Sequence, residues 1–409
     1  MTFSAPQLKD IRADFPILQT TMRGKPLIYL DNAATTQKPM ACIEAITQYY
    51  TAQNANVHRG IYALSELATQ KYEETRIALA RFIHAPTAEN IVFTRGATES
   101  INLVAHGFAE TILQPDDEVI ISAMEHHANI IPWQLACQKT GARLRIIALR
   151  DDTALDLDHL VELISSRTKL IALCYISNTL GNINPVAEVI ALAKKFHIPV
   201  LLDAAQAIAH DTINVQRLGC DFLVFSAHKM YGPTGVGALY ATSAWLEKLP
   251  VYQGGGDMIA EVTFESAIYQ KPPHKFEAGT PNIAAVIAWA SSIRYLEHLG
   301  LKNIQAYERE LSHELHQRLQ QLTEIQVVGA AKNKIGIASL VHQSAHPHDI
   351  ATILDDEGIA IRAGQHCTMP LLTYLKLTAT ARVSLCFYNT VEEIDIFIRA
   401  LKNLQRLFA

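Results

Sequence analysis

Charge is scarce in this chain. Asp, Glu, Lys and Arg make up 18% of its 409 residues, against roughly 25% in an ordinary soluble domain. With 49% hydrophobic residues, that deficit excludes a mainly disordered chain and predicts that part of the surface is covered by a second subunit. The net charge of −5 excludes a protein that works by neutralising nucleic-acid phosphates. No apolar run approaches the roughly 18 residues that span a bilayer. Met1 to Gln19 lacks a basic stretch followed by an apolar one, so a soluble, cytoplasmic protein is the expectation. Repeats, low-complexity stretches and CxxC pairs are absent too. Of the six cysteines, Cys42, Cys137, Cys174, Cys220 and Cys386 sit in apolar or helical contexts and read as small buried hydrophobes. Cys367 differs, lying in Ala363-Gly364-Gln365-His366-Cys367-Thr368 just before Pro370. No metal site is expected: the pair His126-His127 has no third ligand at zinc-type spacing, and His342, His346 and His348 read as solvated in a polar loop.

At this length a single core stops growing, which happens beyond about 250–300 residues, so a large and a smaller domain are expected. From about Ile91 to Tyr240, short apolar runs alternate with helical patterns, the mark of α/β architecture with a mostly parallel central sheet. The runs include Ile91-Val92-Phe93, Leu144 to Leu149, Leu170 to Tyr175, Val200-Leu201-Leu202 and Phe222 to Phe225. Their unbroken hydrophobicity predicts strands buried on both faces. Val186 to Phe196 reads as a helix opened by Pro185 in its first turn. Val251 to Asn282, with Gly254-Gly255-Gly256 and Pro272-Pro273, interrupts the rhythm and reads as a bridging excursion. Beyond it, helices at about 303–321, 347–357 and 391–408 alternate with strands near 335–342, 359–362 and 380–387, predicting a smaller α+β domain. The division is residues 1–25 packing with the small domain, 26–290 as the large domain and 291–409 as the small one.

Four strand ends carry chemistry. Lys229 ends Ser226-Ala227-His228-Lys229 after an apolar strand, where an unpaired ammonium is costly to bury. Asp203 follows Val200-Leu201-Leu202 at the carboxyl end of a strand, where open α/β sheets bind ligands. A carboxylate there suits the pyridinium nitrogen of pyridoxal phosphate, and Gln206 lies three residues on; helix capping is the plainer reading of Asp203. Thr94-Arg95-Gly96-Ala97-Thr98-Glu99 reads as a strand, a glycine and a helix start, a ready phosphate cradle. His126, after another strand, offers a ring face for stacking.

The order of these elements resembles the fold-type I pyridoxal-phosphate enzymes of the class V aminotransferase family, and within it the Suf-type (group II) cysteine desulfurases. The resemblance runs from Tyr29-Leu30-Asp31-Asn32-Ala33-Ala34 through Asn56-Val57-His58-Arg59-Gly60 to Ser384-Leu385-Cys386-Phe387-Tyr388-Asn389-Thr390. It implies that Lys229 binds the cofactor covalently and that Asp203 faces the pyridinium nitrogen. It further implies that Gln206 and Asn178 contact the phenolic side and that His126 stacks on the ring and takes part in catalysis. Ala97 (through its amide), Thr98, Ser226 and His228 would hold the phosphate, with Thr280 reaching the neighbouring subunit's phosphate in a homodimer. His58, Asn178, Arg362 and Arg382 would bind substrate, Arg382 through its carboxylate. Cys367 would take sulfur from L-cysteine as a persulfide, leaving L-alanine, and pass it to a Suf-system acceptor for iron–sulfur cluster assembly; L-selenocysteine would be a second substrate. Arg362 and His366 beside the thiol are expected to favour its thiolate. The family commonly has two histidines before this cysteine, and Gln365 replaces the first. The rival readings are another class V reaction, such as kynurenine hydrolysis or transamination, or a scaffold without catalysis.

Overall fold

A computed structural model describes residues 3–408 of the chain. Its centre is a sheet of seven strands: β1 (Ile91–Thr94), β2 (Glu118–Ser122), β3 (Arg143–Ile147), β4 (Thr168–Cys174), β5 (Val200–Asp203), β6 (Phe222–Ser226) and β7 (Gly237–Ala241). They lie in the order β1-β7-β6-β5-β4-β2-β3. All neighbours run parallel except β7, which is antiparallel to both β1 and β6. Every residue of β2, β5, β6 and β7 is buried, as their unbroken apolar runs require, whereas the edge strand β3 is exposed or half-buried except at its last residue, Ile147. Helices Ala97–Thr111, Ile131–Thr140 and Val186–Lys195 are among the crossovers. Pro185 precedes the last of these as its N-cap rather than entering its first turn. The parallel strands therefore end on one edge, and Ser122, Asp203 and Ser226 stand at those ends.

Beyond the large sheet, β8 (Ile325–Val327), β9 (Ile337–His342), β10 (Arg362–Gly364) and β11 (Thr380–Ser384) form an antiparallel sheet in the order β8-β9-β11-β10. The run expected as one strand at 359–362 is divided. Ile359–Ala360 pairs in parallel with Ile28–Tyr29, and the chain then crosses to β11 as β10. β11 stops at Ser384, not Phe387, because the backbone turns at Asn389, whose side chain accepts from the Cys386 N–H (2.9 Å). His342 is another correction. It is buried at the end of β9, accepts from the N–H groups of Ser344 and Ala345, and lies 3.4 Å from Glu324. The expected excursion contains a hairpin, Ile259–Val262 with Ala267–Tyr269. No helix among the described residues is long and apolar enough to cross a membrane.

The N-terminal segment touches both halves. The buried ring of Phe15 packs edge-on against Tyr231, Tyr295 and Phe387 and tilted against Tyr388, while Arg12 pairs with Glu393 (2.9 Å). Helix Ala63–Phe82 buries Arg76, 2% exposed, between Glu73 (2.8 Å) and Glu277 (2.6 Å) with its guanidinium 4.5 Å from the Phe93 ring centre. Glu277 also accepts from the N–H of Phe93 in β1 (2.7 Å). Because removing one member of a buried ion pair strands the other's charge, Arg76→Ala is expected to cost about 3–5 kcal/mol, read as a lower urea midpoint. A loss below about 1 kcal/mol would mark the pair as no better than a surface contact.

Candidate active site

The carboxyl edge of β4, β5 and β6 opens into a cavity of about 240 Å³ lined by His126, Asp203, Lys229, Cys367 and Arg382. Ala97, Thr98, Asn178, Gln206, Ser226, His228 and Arg362 share it, so twelve of the sequence-derived site residues converge there. His58 and Thr280 do not; each lines a different cavity of the same protomer.

Lys229 follows β6 in a short helical turn. Burial lowers its pKa to about 8, with the Asp203 charge acting the other way, so at neutral pH the amine yields its proton far more readily than a surface lysine. Asp203 is buried, which pushes its carboxyl pKa up. It also accepts from the Ala205 N–H (2.9 Å). It is not the cap of the helix that follows, Ala207–His210, whose N-cap is Gln206; the contact with Ala205 is a local turn, and Asp203 lines the cavity. His126 accepts at Nδ1 from the Ala128 N–H (3.0 Å), which leaves its proton on Nε2. Burial, then the charge of Lys229, lowers its pKa to about 3, so the ring is neutral. His228, lowered to about 4 chiefly by burial, shares a proton with the Thr35 hydroxyl (3.2 Å). Its carbonyl accepts from the Thr36 N–H (3.1 Å) and from Lys38 (3.0 Å), tying the lysine turn to the loop that precedes helix Met40–Gln48.

Several groups assigned from sequence are already engaged. The Ala97 N–H donates to Ser226 Oγ (2.8 Å). Gln206 gives one amide hydrogen to the Ala33 carbonyl and Asn178 gives one to the His366 carbonyl (both 2.8 Å), so each keeps a single N–H for a ligand. Arg362 and Arg382 converge on one carboxylate, Asp31, at 3.1 and 3.0 Å. Arg382 is almost wholly buried, donates to the Asn178 carbonyl (3.0 Å), and has no partner at Nε. The guanidinium of a residue lining the cavity is a receptor for an anionic group there.

Cys367 is the exposed one of six free thiols. It and His366 both adopt left-handed backbone (φ 58° and 52°), a costly conformation for residues with a Cβ. The loop is held from several sides. The His127 N–H donates to the Cys367 carbonyl (2.8 Å), and His127 Nε2 accepts from the Met369 N–H (3.0 Å). Thr179 and Thr368 share a hydroxyl hydrogen bond (2.8 Å). His366 is not the cation expected beside the thiol. Its Nε2 lies against Thr380 (2.8 Å), and burial followed by the Arg382 charge lowers its pKa to about 3. Positive charge near Cys367 comes from Arg362, Arg382 and Lys229.

Sequence reasoning missed Asp31, His127 and Glu125. Glu125 is a buried carboxyl accepting from Ser122, Asn129 (2.7 Å) and the Cys174 N–H (2.8 Å), and burial raises it to about 7. Asp31, an acid following an apolar strand, was the legible one of the three.

The donor set fits pyridoxal phosphate: an amine that gives up its proton, a buried carboxyl, a neutral ring and a hydroxyl-bearing helix start share one cavity. The aminotransferase class-V family model matches residues 28–397. The chain belongs to that family. It is 47% identical to a probable cysteine desulfurase of Mycolicibacterium paratuberculosis, over 98% of this chain but 60% of that protein. To a probable cysteine desulfurase of Xylella fastidiosa it is 45% identical, over 99% of this chain and 97% of the other. The crystal structure of the cysteine desulfurase CsdA (S-sulfonic acid) from Escherichia coli superposes with a TM-score of 0.92 at 37% identity, covering 100% of both chains.

The lowered pKa of Lys229 makes a measurable claim. Reductive methylation of cofactor-free protein will label Lys229 with a rate that rises through about pH 8 and levels off above it. Labelling that still climbs at the ordinary lysine pKa of about 10.4 would show that burial does not perturb the amine.

Proposed function

We propose that this protein is a homodimeric cysteine desulfurase of the Suf type. It converts L-cysteine to L-alanine with pyridoxal phosphate and keeps the sulfur as a persulfide on Cys367. The observation that carries the reading is that the exposed thiol shares a cavity with Lys229 and Asp203. When bound, the cofactor supplies an electron sink for charge developing at the substrate's α-carbon. Lys229 anchors it and, with a pKa of about 8, suits proton transfer at that carbon near neutral pH. Asp203 would meet the pyridine nitrogen, and His126 would cover the ring while offering only its Nε2–H. Thr98, Ser226 and His228 would hold the phosphate; Gln206 and Asn178 would each give their remaining N–H to the phenolic side. Arg382 receives the substrate carboxylate, which competes with Asp31 for the guanidinium.

The Cys367 thiolate attacks the substrate sulfur. A sulfur–sulfur bond forms as the carbon–sulfur bond breaks, and the electron pair remains with the three-carbon fragment, which is protonated and leaves as alanine. The persulfide then passes to an acceptor protein of the Suf system for iron–sulfur cluster assembly. Support for the Suf type comes from the short loop Arg362-Ala363-Gly364-Gln365-His366-Cys367. L-selenocysteine fits the same chemistry.

Dimerisation is supported by exposed apolar side chains on two neighbouring features: Ile61 and Tyr62 ahead of helix Ala63–Phe82, and Val262, Phe264 and Ile268 on the hairpin. Thr280 lies outside the Lys229 cavity of its own protomer, as a residue serving the partner's phosphate would.

Cys367→Ala is expected to retain the cofactor absorbance and cysteine binding while losing alanine formation by several orders of magnitude, as for other covalent nucleophiles. Pyruvate as product, or near-parental alanine production by the variant, would overturn the persulfide route. Sedimentation of the active enzyme is expected to give a dimer at assay concentration. A fully active monomer would remove Thr280 from the site.

A further inference from the structure

Among the described residues, one group of three has its metal-ligating atoms together: His58, Glu73 and His274, all within 4.8 Å of one another. We propose that these three side chains form a binding site for a divalent transition metal of the zinc class, separate in each protomer from the cavity that holds Lys229. Two imidazoles and one carboxylate, with a further position open, are a ligand set that suits zinc and its neighbours rather than calcium or magnesium.

The three groups come from segments far apart in sequence. Glu73 lies on helix Ala63–Phe82, His58 on the loop before it, and His274 on the short turn His274–Phe276. Glu73 is aimed by Arg76, which donates from Nε to Oε2 (2.8 Å) and from its terminal nitrogen to Oε1 (3.2 Å). Arg76 is itself fixed by Glu277 and by the Ile91 carbonyl (2.8 Å). Such outer contacts orient a ligating carboxylate before any ion arrives. His58 is held as firmly. Its backbone is left-handed (φ 72°) and its N–H donates to Thr69 Oγ1 (2.8 Å), so its ring is delivered to Glu73 with Nε2 3.0 Å from Oε1.

That spacing is close to the separation of two ligands on one tetrahedral ion, roughly 3.4 Å for bonds of about 2.1 Å. The His58 and His274 rings face each other edge-on with centres 5.2 Å apart, so drawing His274 inward by an ångström or so closes the set. The ion would take the place of the hydrogen now between His58 Nε2 and Glu73, with the His58 proton carried on Nδ1. Charge does not oppose it: Arg59 is paired with Asp257 (3.1 Å), and Glu73 and Glu277 outnumber Arg76 by one. A cavity of about 270 Å³ bordered by His58, Asp257, Gln270 and His274 leaves room for water as the fourth ligand. The bound ion would staple the turn at 274–276, and with it the segment leading to Thr280, to the helix that carries Arg76.

The test uses cofactor-loaded protein stripped with a chelator and titrated with Zn²⁺ by calorimetry, with X-ray absorption on the loaded sample. One zinc per chain is expected, ligated by nitrogen and oxygen alone. His274→Ala should weaken binding by at least about ten-fold. His274→Asp, which returns a ligand, should restore it, and His348→Ala, at the start of a distant helix, should leave it unchanged. Absence of saturable binding, undiminished binding by a folded His274→Ala protein, or sulfur in the ligand shell would each overturn the proposal.

Discussion

Everything at the candidate site depends on one neutralisation, that of Arg382 by Asp31. A guanidinium with a side chain 2% exposed would be prohibitively costly in a protein interior without a carboxylate against it. Asp31 supplies that carboxylate from the segment following Ile28–Tyr29, which pairs with Ile359–Ala360. The same carboxylate takes Arg362, and Arg382 reaches on to the Asn178 carbonyl. Asn178 in turn holds the His366 carbonyl. A chain of polar contacts thus runs from the N-terminal strand through the smaller sheet to the large one, and the cysteine loop hangs from its end. The anion receptor, the joint between the sheets and the placement of the thiol are one construction.

The fold was legible where the physics is local. Strands buried on both faces must be continuously apolar, and β5 and β6 are. The antiparallel β7 was not legible as such, since the run Gly237–Ala241 is as apolar as its parallel neighbours and direction leaves no mark on composition. The break between Ala360 and Arg362 escaped for a similar reason. Two short strands in different sheets read as one when only hydrophobicity is followed.

At the site, charge at the ends of apolar strands carried the reading of Lys229 and Asp203, whereas Cys367 stood out by its Gly-Gln-His loop and took its role from the family resemblance. Protonation was another matter. The sequence suggests that His366 favours a thiolate at Cys367, yet burial and Arg382 keep its ring neutral, and neither influence is visible in the string of letters. Asp31 and His127 were overlooked because their work is done across long stretches of sequence, on Arg382 and on the backbone of Cys367 and Met369.

The distribution of thiols has a consequence for the fidelity of sulfur handling. Five cysteines are buried, and burial raises the pKa of each, so thiolate, the species that exchanges with a persulfide, is scarce at every one. Cys367 alone is exposed. If Cys367 carries the persulfide proposed above, its sulfur would have no second address inside the molecule: it could not wander from thiol to thiol or be lost to an internal disulfide. It would wait on a loop pinned in one conformation for whatever arrives from solution to collect it.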